Sequence, residues 1–567
     1  MTLALWDWLV ATLRAHPELA VFFALAVGFA VGPLKVMGFT LGNVTATLLA
    51  GVLIGQLGIA VPGPIKSTFF LLFLFAVGFG VGPQFFRGLG KEGPRQIVFS
   101  LVVLVLCLAV PVLCAIAAGL DVGYAAGLYA GSQTISAAIG VATDQIDRLG
   151  YSAAQAKAYS DAVPIGYAVT YIFGTIGSAI ILAQLGPKLI GVDLVAACAD
   201  YERLMGGGGA GFDAGVMSAY RHIELRAYRI DAASGLTGRP VRVLFPGLRV
   251  FVERVRRGDH LIDATADTVL EPGDTVAIIG PRQLLVERIE TDVPEVHDPL
   301  LLNLPATVVD VFVTNSAISG KTLRELADES FARGIHLRRI VRNMVEMPIL
   351  PETEVLRADI LTISGSVRQV DSAVKALGFA DRPLDSTDLK TVAGGILVGG
   401  LIGAASVEVG GIPIGLSTSG GALLAGLVIG YLRTIRPTFG RIPTPALVLM
   451  NTLGLNVFIA IVGINAGPGF VAGLQQVGLS LFLWGIVATS VPMVAAVLLG
   501  HHVFKFHPAI LFGVCAGVRT TTAALGMIQD AARSKVPALG YGMPYAIGNT
   551  LLTIFGMAVV LWMSRFG

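Results

Sequence analysis

The sequence predicts a polytopic α-helical membrane protein made of two inverted repeats. Each repeat holds about five transmembrane helices plus one re-entrant hairpin, and a cytosolic α/β region is inserted between them. Three observations carry this. The composition is 54% hydrophobic and 14% charged, with 70 glycines, whereas soluble domains run about 25% charged. Hydrophobicity collapses once, between about 188 and 388, and the charged residues concentrate there. Short motifs of the first apolar half recur in the second half in the same order.

Transmembrane repeat 1 is expected over 1–188, with apolar segments near 19–37, 39–58, 68–86, 96–119, 122–143 and 163–185. Most reach the roughly 20 residues a span needs. The start, Met1-Thr-Leu-Ala-Leu-Trp-Asp-Trp8, lacks the basic stretch of a cleavable signal peptide. A linker follows at 189–219, its Gly206–Gly209 run read as flexible spacer because no Lys-Ser/Thr follows as in a phosphate loop. Two α/β units come next, at 220–290 and 303–380. The first has alternation at His222–Tyr228, a glycine turn at Leu236-Thr-Gly-Arg239, a basic strand from Val250 to Gly258, and an apolar close ending at Gly280. The second repeats the scheme with Ile318-Ser-Gly-Lys321, Leu337–Asn343 and Ala358–Gly365. Transmembrane repeat 2 is expected over 388–567, with segments near 391–408, 412–430, 445–466, 478–500, 508–528 and 543–564.

The repeat rests on particular residues. Leu48–Gly55 matches Leu423–Gly430, and Gly78-x-x-x-Gly82-Pro83 matches Gly463-x-x-x-Gly467-Pro468. Gly166 and Ile172-Phe-Gly174 match Gly548 and Ile554-Phe-Gly556. Gly131-Ser-Gln-Thr-Ile-Ser-Ala-Ala-Ile-Gly140 returns 386 residues later as Gly517-Val-Arg-Thr-Thr-Thr-Ala-Ala-Leu-Gly526. The basic loops set direction. Arg87, Lys91 and Arg95 join segments 3 and 4 of the first half. In the second half Arg433, Arg436 and Arg441 join segments 2 and 3, whereas 465–477 has no charge. With basic loops inside, the halves are inverted and the N-terminus lies outside. A cytosolic central region then requires one first-half segment not to cross. Segment 122–143, which holds the polar stretch, is read as re-entrant, and ordinary spanning remains the alternative.

Arg519 stands out as a charge deep in an apolar segment, at a cost of roughly 2.5–3.5 kcal/mol on insertion scales. No acid lies equally deep, so a substrate carboxylate is its expected partner; hydrogen bonds to unwound carbonyls are the alternative. Thr520, Thr521 and Thr522, with Thr134 and Ser136 opposite, fall where the hairpins turn, and a broken helix there offers free N–H groups to an anion. Gln133 stands where the other hairpin has Arg519, so the site is asymmetric, as an amino acid with unlike ends would suit. Asn549 on the following helix is a further candidate. The four cysteines make no metal motif, no catalytic set or ATP loop appears, and a net charge of +2 points to no nucleic-acid partner. The reading is a non-enzymatic secondary transporter without cofactor, whose partners are the lipid bilayer and a small carboxylate or amino acid.

Two inverted halves around a tandem insert resemble the aspartate:alanine exchanger family of bacterial secondary transporters, and the insert resembles paired TrkA-C domains. The resemblance spans essentially the whole chain. It implies an inner-membrane protein that takes L-aspartate in and lets L-alanine out by an elevator-like alternating access. It also implies functional coupling to a cytosolic decarboxylase and, with the TrkA-C pair, a homodimer. Sodium-coupled or exchange transport of dicarboxylates such as succinate is the runner-up, and a TrkA-C-regulated ion channel the third reading.

Overall fold

The computed structural model describes the chain except at residues 1, 37–38, 41, 89–93, 206–222, 233, 246–247, 249, 290–292, 333, 343–344, 381–386, 410–411, 416, 437–439, 441 and 566–567. It divides into two compact units. The first comprises Met1–Leu204, Arg342–Pro348 and Pro383–Gly567; the second comprises Met205–Val341 and Ile349–Arg382.

The first unit is helical. Its first half contains α1 (Thr2–Ala15), α2 (Pro17–Val31), α3 (Asn43–Gly55), α4 (Gly63–Gly88), α5 (Pro94–Ala117), α6 (Val122–Ser132), α7 (Ala137–Arg148) and α8 (Ala153–Ile180). Then α9 (Leu194–Leu204) leads to the central region. The second half contains α10 (Leu389–Ala404), α11 (Ser417–Ile435), α12 (Thr444–Leu498), α13 (Pro508–Val518), α14 (Thr522–Ala532) and α15 (Ala538–Met563). Among the described residues six helices are long and apolar enough to cross a membrane, or seven if the α1–α2 pair, bent by 113°, counts as one span. Segments 122–143 and 508–528 each break into two short helices, α6–α7 and α13–α14, so neither is one spanning helix.

Glycines set the packing, and they follow the repeat. A Cβ at Gly78 would lie 2.1 Å from the Leu423 carbonyl oxygen, and one at Gly82 would lie 2.3 Å from that of Leu427. In return, Gly426 and Gly430 of α11 lie against the Phe75 and Phe79 carbonyls of α4. The same crossing recurs between α3 and α12, where Gly51 and Gly55 meet Ala460 and Ile464, and Gly463 meets Leu48. The second span of each half thus packs on the third span of the other through a pair of G-x-x-x-G stripes. Residue numbers rise together along both crossings, so the helices run parallel. Consecutive spans alternate in direction, so this parallel arrangement supports one half being turned over relative to the other.

Two expectations change. Segments 445–466 and 478–500 form one helix, α12, and the uncharged stretch 465–477 expected as a loop is helical. Its only strong breaker is Pro468, which apolar helices tolerate when neighbours close around the freed carbonyl. Here Gly55 of α3 lies against the Ile464 carbonyl that Pro468 frees, the Gln56 amide donates to the Gly467 carbonyl, and Gly473 packs on Tyr124 and Ile165. At 55 residues and ~1.5 Å per residue, α12 is about 82 Å long. Its first part packs on α3 and its second on α8. The second change concerns the register of the last helix. Gly131 and Gly517 face the carbonyls of Tyr167 and Tyr541, while Gly556 faces Ala138 instead. The counterparts of Tyr167 and Tyr171 are therefore Tyr541 and Tyr545, not Asn549 and Thr553, which the match of Gly166 to Gly548 would set opposite them. Glycines eight residues apart, about two helical turns, made the two alignments look alike in sequence.

The central region holds two five-stranded antiparallel sheets, whose strands lie in the second unit except for Arg342 and Val345–Met347, which belong to the first unit. The first comprises β1 (Ile223–Arg229), β2 (Phe251–Arg257), β3 (His260–Asp263), β4 (Thr275–Pro281) and β5 (Glu295–Val296), in the order β3-β2-β4-β1-β5. The second comprises β6 (Ala306–Val313), β7 (His336–Arg342), β8 (Val345–Met347), β9 (Ile360–Ser366) and β10 (Gly378–Ala380), in the order β8-β7-β9-β6-β10. The two orders are the same. Even the bulge recurs: the β2–β4 register shifts at Val252/Arg254, and the β7–β9 register shifts at Leu337/Arg339. The copies pack together, with Arg368 Nη2 donating to the Ala264 carbonyl at 2.7 Å and the Gln369 amide donating to Glu253.

Candidate functional site

The two hairpins meet at their tips. Each turns on a threonine with a left-handed backbone, Thr134 at φ 56° and Thr520 at φ 54°. A β-branched residue seldom adopts this conformation, so its recurrence at both turns marks a shared, strained design. Thr134 Oγ1 donates to the Arg519 carbonyl at 3.4 Å, joining one tip to the other. The turns are braced alike from the following helix. Ser136 Oγ bonds Tyr167 Oη at 2.7 Å, and Thr522 Oγ1 bonds Tyr541 Oη at 2.9 Å. Thr521 caps α14, its hydroxyl accepting from the Ala524 N–H.

Arg519 is fully buried at the end of α13. One terminal nitrogen, Nη2, donates to the carbonyl of Ser132, the last residue of α6, and to Ser178 Oγ at 3.3 Å. The other, Nη1, donates to the Thr489 carbonyl on α12 at 3.4 Å. Gln133 donates through Nε2 to the Ala488 carbonyl and to Ser132 Oγ, both at 3.1 Å. Among the described residues, three buried polar atoms at this junction have no hydrogen-bond partner: Arg519 Nε, Thr520 Oγ1 and Gln133 Oε1.

The structure therefore brings Gln133, Thr134, Arg519 and Thr520 together at one junction, with Ser136, Thr521 and Thr522 in its supports. Asn549 is buried on α15 and makes no side-chain hydrogen bond among the described residues. The guanidinium is held by the Ser132 carbonyl at the end of α6, the Thr489 carbonyl within α12 and the Ser178 hydroxyl. Sequence reasoning missed the carbonyls of Ser132, Ala488 and Thr489, which have no signature in side-chain identity. It also missed the Tyr167 and Tyr541 braces, although both stand in a Tyr-x-x-x-Tyr pair. Asp144 was missed as well. It lies one residue beyond the expected segment 122–143, and its carboxylate accepts from Ser419 Oγ of α11. The described part of the membrane unit thus does hold a drawn-in acid, but it serves α11 and not Arg519.

The hairpins differ in exposure. Residues 137–143 of α7 are all buried, whereas Thr522, Ala523, Asp530 and Ala531 of α14 are exposed. A Cβ added at Gly526 would meet nothing within 4 Å. The base of the second hairpin adjoins α9, with Ser534 Oγ donating to Glu202 at 2.6 Å and the Tyr201 and His507 rings 4.9 Å apart. In the central unit a cavity of about 890 Å³ opens between the two α/β copies, lined by Phe251 and Ile279 of the first and Leu326, Phe331 and Leu361 of the second.

Comparison with known proteins adds the following. A family model described as a predicted permease membrane region matches residues 20–188 and 391–561. The TrkA-C domain model matches 225–288 and 308–378. An uncharacterized transporter of Shewanella oneidensis is 48% identical over 562 residues, covering 98% of this chain and 99% of its own. Another, of Bradyrhizobium diazoefficiens, is 40% identical over 514 residues, covering 90% and 99%. A third, of Zymomonas mobilis, is 34% identical over 562 residues, covering 98% and 99%. No solved structure matches the chain.

Proposed function

Because the chain belongs to the aspartate–alanine exchanger family of permeases, we propose that it exchanges small carboxylates across the cytoplasmic membrane, L-aspartate inward against L-alanine outward. The observation that supports this most is the set of unpartnered atoms where the hairpin tips meet. Arg519 Nε and the Thr520 hydroxyl are donors, and Gln133 Oε1 is an acceptor. A buried polar atom left unpaired costs about 1–3 kcal/mol. Donors beside an acceptor complement an amino acid, whose carboxylate takes the donors and whose ammonium meets the amide oxygen. The guanidinium stays tied to Ser132 and Thr489 and offers its Nε–H edge, so it lends charge and one donor rather than a free fork. Exposure along α14 against burial along α7 supports a conformation open at the second hairpin and closed over the first. Alternating access would exchange these roles.

Proteoliposomes preloaded with alanine, aspartate or succinate, with and without a sodium gradient, test the reading. Aspartate uptake driven by internal alanine, without need of sodium, is the expected result. Arg519→Ala is expected to lose this counterflow, and Arg519→Lys, which keeps charge but not the planar fork, to lose most of it. Full aspartate counterflow in both variants would remove Arg519 from the site. Uptake of succinate alone would move the reading to dicarboxylates.

A further inference from the structure

The backbone-to-backbone glycine crossings divide the membrane unit into two groups, which also touch where Gly140 of α7 lies against the Phe70 ring of α4. One contains α3, α4, α10, α11 and the first part of α12. The other contains the two hairpins with α8 and α15, since Gly123, Gly127 and Gly131 of α6 lie on α8, and Gly513 and Gly517 of α13 lie on α15 or its approach. Asp144 and Ser419 form a polar bond between the groups, from the second arm of the first hairpin to the first turn of α11. The receiving end suits an anion. Ser417 opens α11 with φ 61°, its hydroxyl accepting from the Gly420 N–H, and the free N–H end of a 19-residue helix favours negative charge.

The charged groups around the carboxylate are few. Lys66 on α4 and Arg148 on α7 act on it favourably, and Asp147 opposes them. The first turn of α11 carries only serine, threonine and glycine. α15 carries no charged residue, its titratable groups being Tyr541 and Tyr545. On α8, Lys157 and Asp161 pair with each other at 2.6 Å; on α6 the titratable groups are Tyr124 and Tyr129. The repeat supplies a contrast. Asp530 stands 386 residues after Asp144, at the same place in the second hairpin, and it is exposed with no side-chain bond among the described residues. One hairpin is fastened by its acid, while the acid of the other makes no such bond among the described residues.

We propose that Asp144 is a proton-binding site that gates movement of the first hairpin. Ionised, it fastens the hairpin to the N-terminal turn of α11. Protonated by water, it gives up the charge-assisted bond to Ser419 and its attraction to the helix terminus and Lys66, and the hairpin is released. On reclosing, the proton returns to water. α10 and α11 run antiparallel, with Gly399 on Gly421 and Gly403 on Ser417. Because α10 follows the central region in sequence, the start of α11 lies at the far end of that helix pair. The proton is therefore drawn from the membrane face opposite the start of α10. This inference rests on the alternating-access reading, but not on which carboxylate is carried.

The test is amide hydrogen exchange of the full-length protein in lipid nanodiscs, following residues 141–150 across a pH series corrected for intrinsic rates. In the native protein, protection of this segment is expected to fall on the order of tenfold or more from mildly basic to mildly acidic pH, the worth of a hydrogen bond to a charged group. In Asp144→Asn, protection should be low and independent of pH. Ser419→Ala, which removes only the donor, should lower protection at basic pH and guards against misfolding of the first variant. Protection that does not change with pH in the native protein, or the native pH response surviving in Asp144→Asn, overturns the proposal. Since exchange is read without substrate, failure of aspartate counterflow would sink the carboxylate reading and leave this result standing.

Discussion

Thr134 and Thr520 show how much one residue decides. A left-handed backbone costs a side-chain-bearing residue roughly 1–2 kcal/mol, and glycine escapes most of it. Thr520→Gly is therefore expected to stabilise the folded protein by about 1 kcal/mol while weakening exchange, because its unpartnered hydroxyl disappears. Thermal unfolding and counterflow on the same preparation check both; a gain in stability with undiminished exchange would make Thr520 a turn residue only. Arg519 was legible as an anomaly because charge is conspicuous in an apolar run. Its partners were not legible, since all but the Ser178 hydroxyl are backbone carbonyls that every residue type carries. The acid at Asp144 escaped notice because the apolar run ends one residue earlier, although the helix does not.

At the scale of helices and strands, the glycine spacing told most. Gly426-x-x-x-Gly430 and Gly78-x-x-x-Gly82 were visible as repeats, and they proved to be the two sides of one crossing. Their mates were not deducible, because a small-residue stripe states that something comes close without naming it. A Cβ at Gly426 would sit 2.3 Å from the Phe75 carbonyl oxygen, which cannot yield as a side-chain tip can. Gly426→Val is expected to abolish stable folding, with Gly51→Val failing the same way at the related crossing. Gly394→Ala and Gly400→Ala, where nothing lies within 4 Å, are expected to be neutral or to gain about 0.5–1 kcal/mol of helix propensity. Monodispersity in detergent and melting temperature distinguish the two sets. The merging of two expected spans into α12 was hidden because an uncharged glycine- and proline-containing stretch reads as a loop, and only packing against Tyr124 and Ile165 shows otherwise.

For the molecule as a whole, the tripartite plan was plain in the sequence because hydropathy changes abruptly at both edges of the central region. The two TrkA-C copies pack on each other within one chain. Glu253, at the bulge of β2, joins them. Burial lifts its carboxyl above the ordinary value, against the opposing pulls of the Gln369 amide and the Arg368 charge. A folded-state value raised in this way means that the stability it lends is present in full below the ordinary carboxyl value of about 4.5 and is lost as pH rises through the folded value. Glu253→Gln should therefore raise the melting temperature of the central region at neutral pH, with a smaller gain as pH approaches that ordinary value. Calorimetry of the full chain at several pH values checks this, and a gain independent of pH would contradict it.

The reciprocal glycine crossings also bear on how the protein is made. Neither half can bury its own stripe: α3 waits for α12, and α4 waits for α11. At a ribosomal pace of roughly 5–20 residues per second, the roughly 345–415 residues between such partners take roughly 17–83 s to synthesise. During that interval the first half sits in the bilayer with its close-packing faces uncovered, and the whole central region is translated before relief arrives. Assembly is thus scheduled by the second half, and a nascent chain that stalls before Gly426 is an orphan for membrane quality control rather than a partly working transporter.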